Sequence, residues 1–304
     1  MTTESVKICV HLWLSSVLAI PLLGASAPHD LAFWRSIKAH DFAVPPGESV
    51  DRLALEITDL AGDTDPAVRD ECGYEILAAW VYRKDLLSAD QLEAVRRKLI
   101  PGMTFHIGES GEPTIFRRSF SALYASILAA QDLRKPFLSD AAFHDTLDAA
   151  LKCYASERDL RGYNPGNGWA HATAHVADLI KFLARNSKLT SDDQRHIVEG
   201  VALRCRTVES VFVWGEDARI AAALSSIIDR KDFEPSIFNS WFQIVTEENK
   251  QLWKAPTLDT AAYVRLRTQA NVLAQLAAKL ASKEPNESPV NFRTALNKVV
   301  AELN

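Results

Sequence analysis

The chain has 304 residues, 47% of them hydrophobic and 24% charged, with a net charge of −5. These are ordinary values for a soluble globular protein with a sizeable core. No basic run is long enough to form a nucleic-acid or polybasic membrane surface, so nucleic acid is excluded as an expected partner.

The first 27 residues read as separate from the fold. Lys7 precedes an apolar run from Ile8 to Leu23, interrupted by His11, Ser15, Ser16 and Pro21. Ala25-Ser26-Ala27 then gives the small-x-small pattern that a signal peptidase reads. A secretory signal over 1–27 is expected, followed by a single domain over 28–304. The run is short for a span and holds a proline and a histidine, which favours cleavage over retention as an anchor. The expected product is exported, periplasmic or secreted, with no stable membrane span. Of four cysteines, Cys9 leaves with the signal. Cys72, Cys153 and Cys205 remain, each in an apolar helical context, and read as buried small hydrophobes rather than a disulfide framework.

From residue 28 onward apolar residues recur at spacings of three and four, the helical period. Helices are expected over 30–40 and 49–60, separated by Pro45-Pro46-Gly47. Asp65-Pro66 opens a helix to Arg83, and Ser88 with Gln91 opens one that Pro101-Gly102 stops. Further helices are expected over 115–133, 139–157, 169–186, 191–208, 216–229, 235–249, 258–282 and 288–303, with a polar link at 282–289. About a dozen helices, paired at roughly 40-residue intervals, point to an all-α fold of stacked antiparallel helix pairs. HEAT-like packing or a partial α/α toroid would fit, and so would a compact irregular bundle.

Chemistry concentrates in 161–178, a glycine-bearing loop running into a helix. On a wheel of about 100° per residue, His171, His175, Asp178 and Phe182 form a narrow stripe beside an apolar face of Trp169, Ala172, Val176, Leu179, Ile180 and Leu183. Two histidines four apart can present ring nitrogens to one divalent metal such as zinc, with Asp178 as third ligand or orienter. The residue after His171 is Ala172 where zinc proteases carry a glutamate base, which disfavours that class. A base must come from elsewhere. Glu216 and Asp217, in Trp214-Gly215-Glu216-Asp217-x-Arg219, are the candidates, although acids also suit a helix start for electrostatic reasons. Gly162, Gly166 and Gly168 precede a helix N-terminus, where Arg158 and Arg161 can add charge for an anion; plain turn chemistry also explains them. Arg117 and Arg118 can clamp an anionic group, and two adjacent arginines cannot share one helix face.

Three segments together carry a resemblance. They are Arg161-Gly162 with Gly168-Trp169-Ala170-His171-Ala172-x-Ala174-His175-x-x-Asp178-Leu179, Phe116-Arg117-Arg118-Ser119-Phe120-Ser121-Ala122-Leu123, and Glu216-Asp217-x-Arg219. Over most of 70–280 the chain resembles the family catalogued as domain of unknown function 2785. The resemblance implies an all-helical fold and names no activity.

The residues support two functional readings. The first is a metal-assisted hydrolase. His171, His175 and Asp178 would be ligands, Glu216, Asp217 or Asp178 would be catalytic, and Arg117, Arg118, Arg161 and Trp169 would bind a small molecule or peptide. Its metal-free form is a glycosidase pairing Asp178 with Glu216 or Asp217. The second is a helical-repeat scaffold for a protein partner, without catalysis.

Overall fold

The structure, a computed structural model, describes residues 28–283 and 289–303. The expected signal peptide and most of the 282–289 link lie outside the described residues. Within them the chain is all-helical apart from one minimal hairpin. The helices are α1 (Leu31–Ala39), α2 (Val50–Leu60), α3 (67–83), α4 (Ala89–Leu99), α5 (Thr114–Arg134) and α6 (Asp140–Ser156). They continue as α7 (Ala172–Leu183), α8 (Ser191–Arg206), α9 (Glu216–Ile228), α10 (Asn239–Lys254), α11 (Thr260–Ala281) and α12 (Val290–Leu303). The hairpin pairs β1 (Tyr163–Asn164) with β2 (Gly168–Trp169) between α6 and α7.

Short polar side chains start the helices where the sequence places them. Asp30, Ser139 and Asp259 accept first-turn N–H groups, and Ser88–Gln91 forms a reciprocal capping box. Thr190 and Asp193 form a second box one residue before the expected start of α8. At the chain's end, α12 docks on α10 and α11 through Phe292, Leu296, Val299 and Leu303.

Alternate helices pack into a row. α5 lies on α7, α7 on α9, and α9 on α11, and these are the most extensive contacts of the fold. α6 and α8 pack on each other; α6 also covers α7, and α8 covers α11. The reason is compositional. α5 buries residues on nearly every side, among them Ile115, Phe116, Phe120, Tyr124, Ile127 and Leu128. A helix that buries side chains on most of its faces belongs in the interior. α7 brings Ala172, Ala174 and Ala177, small enough for neighbouring backbones to approach closely. The three cysteines are buried and unpaired, as their apolar contexts imply.

One helix departs from the expected geometry. Residues Ala67–Tyr74 and Ala79–Arg83 of α3 wind as π-helix around an α-helical turn at Glu75–Ala78. The cause lies in α5. The Tyr124 hydroxyl enters the first π segment and donates to the Arg69 carbonyl at 2.7 Å. Gly73 makes that entry possible, since a Cβ there would sit 2.0 Å from the Tyr124 hydroxyl oxygen. Gly73→Ala should therefore destabilise the fold by about 1–3 kcal/mol, the usual cost of overpacking. Chemical denaturation measures the loss, and adding Tyr124→Phe should recover part of it by removing the clashing oxygen.

Candidate functional site

The loop after α6 does not enter a helix at residue 169, as its periodicity suggests. Gly166 and Gly168 take positive φ, the hairpin turns, and Trp169 is the last strand residue. Backbone bonds from Ala170 N–H to Gly162 O at 2.8 Å and from His171 N–H to Arg161 O at 3.0 Å extend the pairing. His171 is the N-cap of α7 in the left-handed region, φ 56°. The helical wheel is thus corrected at its start, because 169–171 are extended and then reversed. His175 and Asp178 do lie on α7, both buried.

Three anchors hold this hairpin. From below, the fully buried Arg69 donates to Asn167 O at 2.7 Å and Asp63 O at 2.7 Å and pairs with Asp70. Its guanidinium is 4.2 Å and 4.4 Å from the Phe116 and Phe120 ring centroids, so two aromatic faces supply what water cannot. From the side, Asp159 accepts Gly111 N–H and a bidentate contact from Arg161. From above, Trp214 lies flat on Gly162, where a Cβ would be 2.1 Å from the indole Cγ. Its carbonyl accepts from His171 Nε2 at 3.0 Å.

The result is an aromatic surface. Tyr163, Trp169 and Trp214 are 50%, 41% and 43% exposed, and they meet edge to face in sequence. The His171 ring stacks on Trp169 at 4.9 Å. The His175 ring lies 5.7 Å from that of His171 and edge-on to Phe120 at 4.9 Å. Burial lowers the pKa of both histidines below 6.5, most strongly at His175. At His175 the neighbouring His171, Arg219 and Arg69 push the same way. Both rings are neutral at pH 7.

Asp178 stands beside them with its carboxylate engaged on both oxygens. Arg219 from α9 binds Oδ2, and Lys181 binds Oδ1 at 3.1 Å. The three residues expected as metal ligands, His171, His175 and Asp178, are neighbours on and beside α7, with Asp178 already paired. His171 Nε2 donates to a carbonyl, which leaves Nδ1 as its free ring nitrogen. Among the described residues no three His, Cys, Asp or Glu side chains gather to hold a metal ion.

The proposed base residues are also engaged elsewhere. Glu216 is buried, and its carboxylate accepts Trp214 N–H at 2.8 Å, folding back on its own loop. Burial raises its pKa. Asp217 accepts from Ala218 N–H at 2.8 Å in the first turn of α9. Neither makes a hydrogen bond or ion pair with His171, His175 or Asp178.

The arginines divide as adjacent residues on a helix must. Arg118 points inward, fully buried, in a bidentate pair with Glu157 at 2.6 and 3.0 Å. It also donates to the carbonyls of Phe105, His106 and Glu109, so no N–H remains for a substrate. Arg117 donates to Thr58 O and Asp59 O, closing the carbonyl end of α2. Arg161 is held by Asp159 and Glu112 O. Of the four expected substrate contacts, Trp169 alone belongs to the aromatic surface.

Four further residues complete the site. Arg219 is 52% exposed at the rim. Tyr74 is carried to the Asp178–Arg219 pair by the π-wound start of α3. Its pKa is raised by burial first and by Asp178 second. Ser119 and Arg69 lie beneath the histidines. Arg219 and Ser119 stand inside the motif segments of the sequence, whereas Arg69 and Tyr74 carry no local signal.

The family model described as protein of unknown function (DUF2785) matches residues 103–289. That span runs from before α5 to the end of α11 and holds every site residue except Arg69 and Tyr74. No curated protein and no solved structure matches the chain.

The depressed histidines set a pH dependence. The folded state keeps them neutral while the unfolded chain protonates near 6.5, so their contribution is fully present above 6.5. It is lost as pH falls below that value toward the folded pKa values. One unmatched proton is worth about 1.4 kcal/mol per pH unit for buried His175, and less for the partly solvated His171. The urea midpoint should thus drop between pH 7.5 and 5.5, and His171→Gln with His175→Gln should flatten that slope.

Proposed function

The chain belongs to the protein family of unknown function DUF2785, and from that premise and the geometry of the hairpin site we propose that it binds a small ring-shaped molecule rich in hydroxyl groups, the chemistry of a carbohydrate. The observation that carries the reading is the exposed Tyr163–Trp169–Trp214 surface set against two neutral imidazoles, His175 buried and His171 half-buried. Large aromatic faces held rigid and left in solvent are unusual unless something covers them. A sugar ring supplies both surfaces they require. Its C–H faces lie on indole, and its hydroxyls donate to imidazole nitrogen and accept from the exposed Arg219 guanidinium. Few polar groups beside an apolar wall is the usual build of a small-molecule site.

Metal-assisted hydrolysis has no observation behind it, because among the described residues no three His, Cys, Asp or Glu side chains gather to hold an ion and Asp178 is paired with two cations. The carboxylate-pair mechanism is likewise unsupported, because Asp178 and Glu216 are each satisfied locally. Binding is therefore proposed without an assigned reaction. A second reading, a docking scaffold for a protein partner, has one observation behind it. A groove of about 530 Å³ runs between α8, α10 and α11. The exposed Ile244, Trp253 and Leu258 lie on or beside these helices.

Export belongs to the same proposal. The apolar run before residue 28 and the Ala25-Ser26-Ala27 step support it, and no described helix is long and apolar enough to cross a membrane. Expression of the full chain with N-terminal sequencing of the product tests this, with Pro28 as the expected first residue.

Calorimetric titration of the purified protein with maltose, cellobiose and N,N′-diacetylchitobiose tests the binding. Saturable binding of at least one disaccharide is expected. Trp169→Ala and Trp214→Ala should each weaken it about tenfold, the ~1.4 kcal/mol that one aromatic face contributes. Absence of binding by all three, or affinities indifferent to both variants, would sink the proposal.

A further inference from the structure

We propose that Ser119 is a positioning residue for His175, fixing its tautomer so that the ring shows an unprotonated Nε2, and that the paired histidines accept hydrogen bonds from a ligand without donating any. The inference deepens the ligand site proposed above and rests on it for the ligand, but its first test needs no ligand.

Ser119 is fully buried in α5. Its Oγ lies within hydrogen-bond reach of two groups, the Ala170 carbonyl and His175 Nδ1, the latter at 2.7 Å. A hydroxyl carries one proton, and a carbonyl can only accept. If the serine proton went to Nδ1, the serine and Ala170 oxygens would face each other as two bare acceptors in a dry interior. That arrangement carries the cost of an unsatisfied buried polar group. The consistent assignment sends the serine proton to Ala170 O and requires Nδ1–H of His175 to donate to the serine oxygen. Nε2 is then bare.

His171 reaches the same condition by the opposite route. Its Nε2 faces the Trp214 carbonyl, so Nε2 carries the proton and Nδ1 is bare. Two neighbouring rings therefore offer two acceptor nitrogens, and both polar hydrogens are spent on the protein. The charged and titratable neighbours that weigh most on His175 work against its protonation: His171 on the hairpin–α7 junction, Arg219 on α9 and Arg69 on α3. A ligand must bring O–H or N–H to this point. A carbonyl or carboxylate placed there would meet lone pairs only.

Long-range ¹H–¹⁵N spectra of the imidazoles, recorded on the folded protein at pH 7.5, decide the tautomers. Expected are a pyridine-type signal from Nε2 and a pyrrole-type signal from Nδ1 of His175, with the reverse for His171. Single variants His171→Gln and His175→Gln assign the peaks. In Ser119→Ala the pyridine-type signal should leave Nε2 of His175 or broaden between both nitrogens; Ser119→Thr, which keeps the hydroxyl, should restore it. An Nε2–H tautomer of His175 in the wild-type protein overturns the inference without any variant, so a Ser119→Ala chain that fails to fold does not shield it. An unchanged spectrum in a folded Ser119→Ala overturns it too. If the tautomers are as stated and no disaccharide binds, the ligand reading fails while the positioning role stands. If a disaccharide binds and the tautomers are reversed, the converse holds.

Discussion

The site depends on how closely α5 approaches α7. Ala172, Ala174 and Ala177 keep α7 thin, and α5 presses Ser119, Phe116 and Phe120 into the space beneath the hairpin. From that contact come the serine under His175, the ring edge against its imidazole, and the two aromatic faces that shelter Arg69. Arg69 in turn holds the loop that carries Trp169. A wider spacing would let water reach Arg69 and Ser119, and both histidines would lose the burial that keeps them neutral. The electrostatic character of the surface is thus a consequence of helix packing two layers below it.

The same packing decides how the ionisable groups of the motif are paired within the protein. His171, His175 and Asp178 meet in space, but each already has a partner inside the protein. Asp178 pairs with Arg219 and Lys181; His171 ties the hairpin to the loop before α9; His175 is bound to Ser119. Arg118 and Glu157 show the extreme form. Their bidentate pair, with three carbonyls around the guanidinium, orders the chain on both sides of α5 and leaves nothing to offer a ligand. The charges of this motif build the surface, and the exposed aromatic rings and bare ring nitrogens are what it presents.

Much of the fold is legible in the sequence because its cues are local. Ser88 and Gln91, Asp259, and the 3.6-residue period of α5 and α11 each act within one or two turns, and the helices start where those residues put them. The π winding of α3 is not legible, since its cause is a tyrosine 50 or more positions away entering at Gly73. The start of α7 departs from its wheel for a related reason. Trp169 and Ala170 fit the helical period of residues 172–183, but Gly166 and Gly168 with the Gly162 and Arg161 carbonyls draw them into the hairpin. At the site, spacing alone brings His171, His175, Asp178 and Trp169 to notice. Spacing cannot show that Glu216 folds back on Trp214, nor that Arg69 and Tyr74 arrive from another helix.

His171 gathers these threads. A histidine at φ 56° sits in a region that most side chains avoid and that glycine occupies freely. Glycine at this position would ease the backbone and still allow the hairpin to turn into α7. What it would lose is the Nε2–H bond to Trp214, the stack on Trp169 and the contact with His175. Of the non-glycine residues with positive φ among those described, His171 alone lies in the aromatic surface. Backbone strain of this kind persists where surrounding contacts over-determine it, and here those contacts all run through one imidazole. The ring is both the bolt between hairpin and α9 loop and half of the acceptor pair. That double use ties the exposed rings to two separate loops, and a surface held in place before binding lowers the entropic cost of covering it with a ligand.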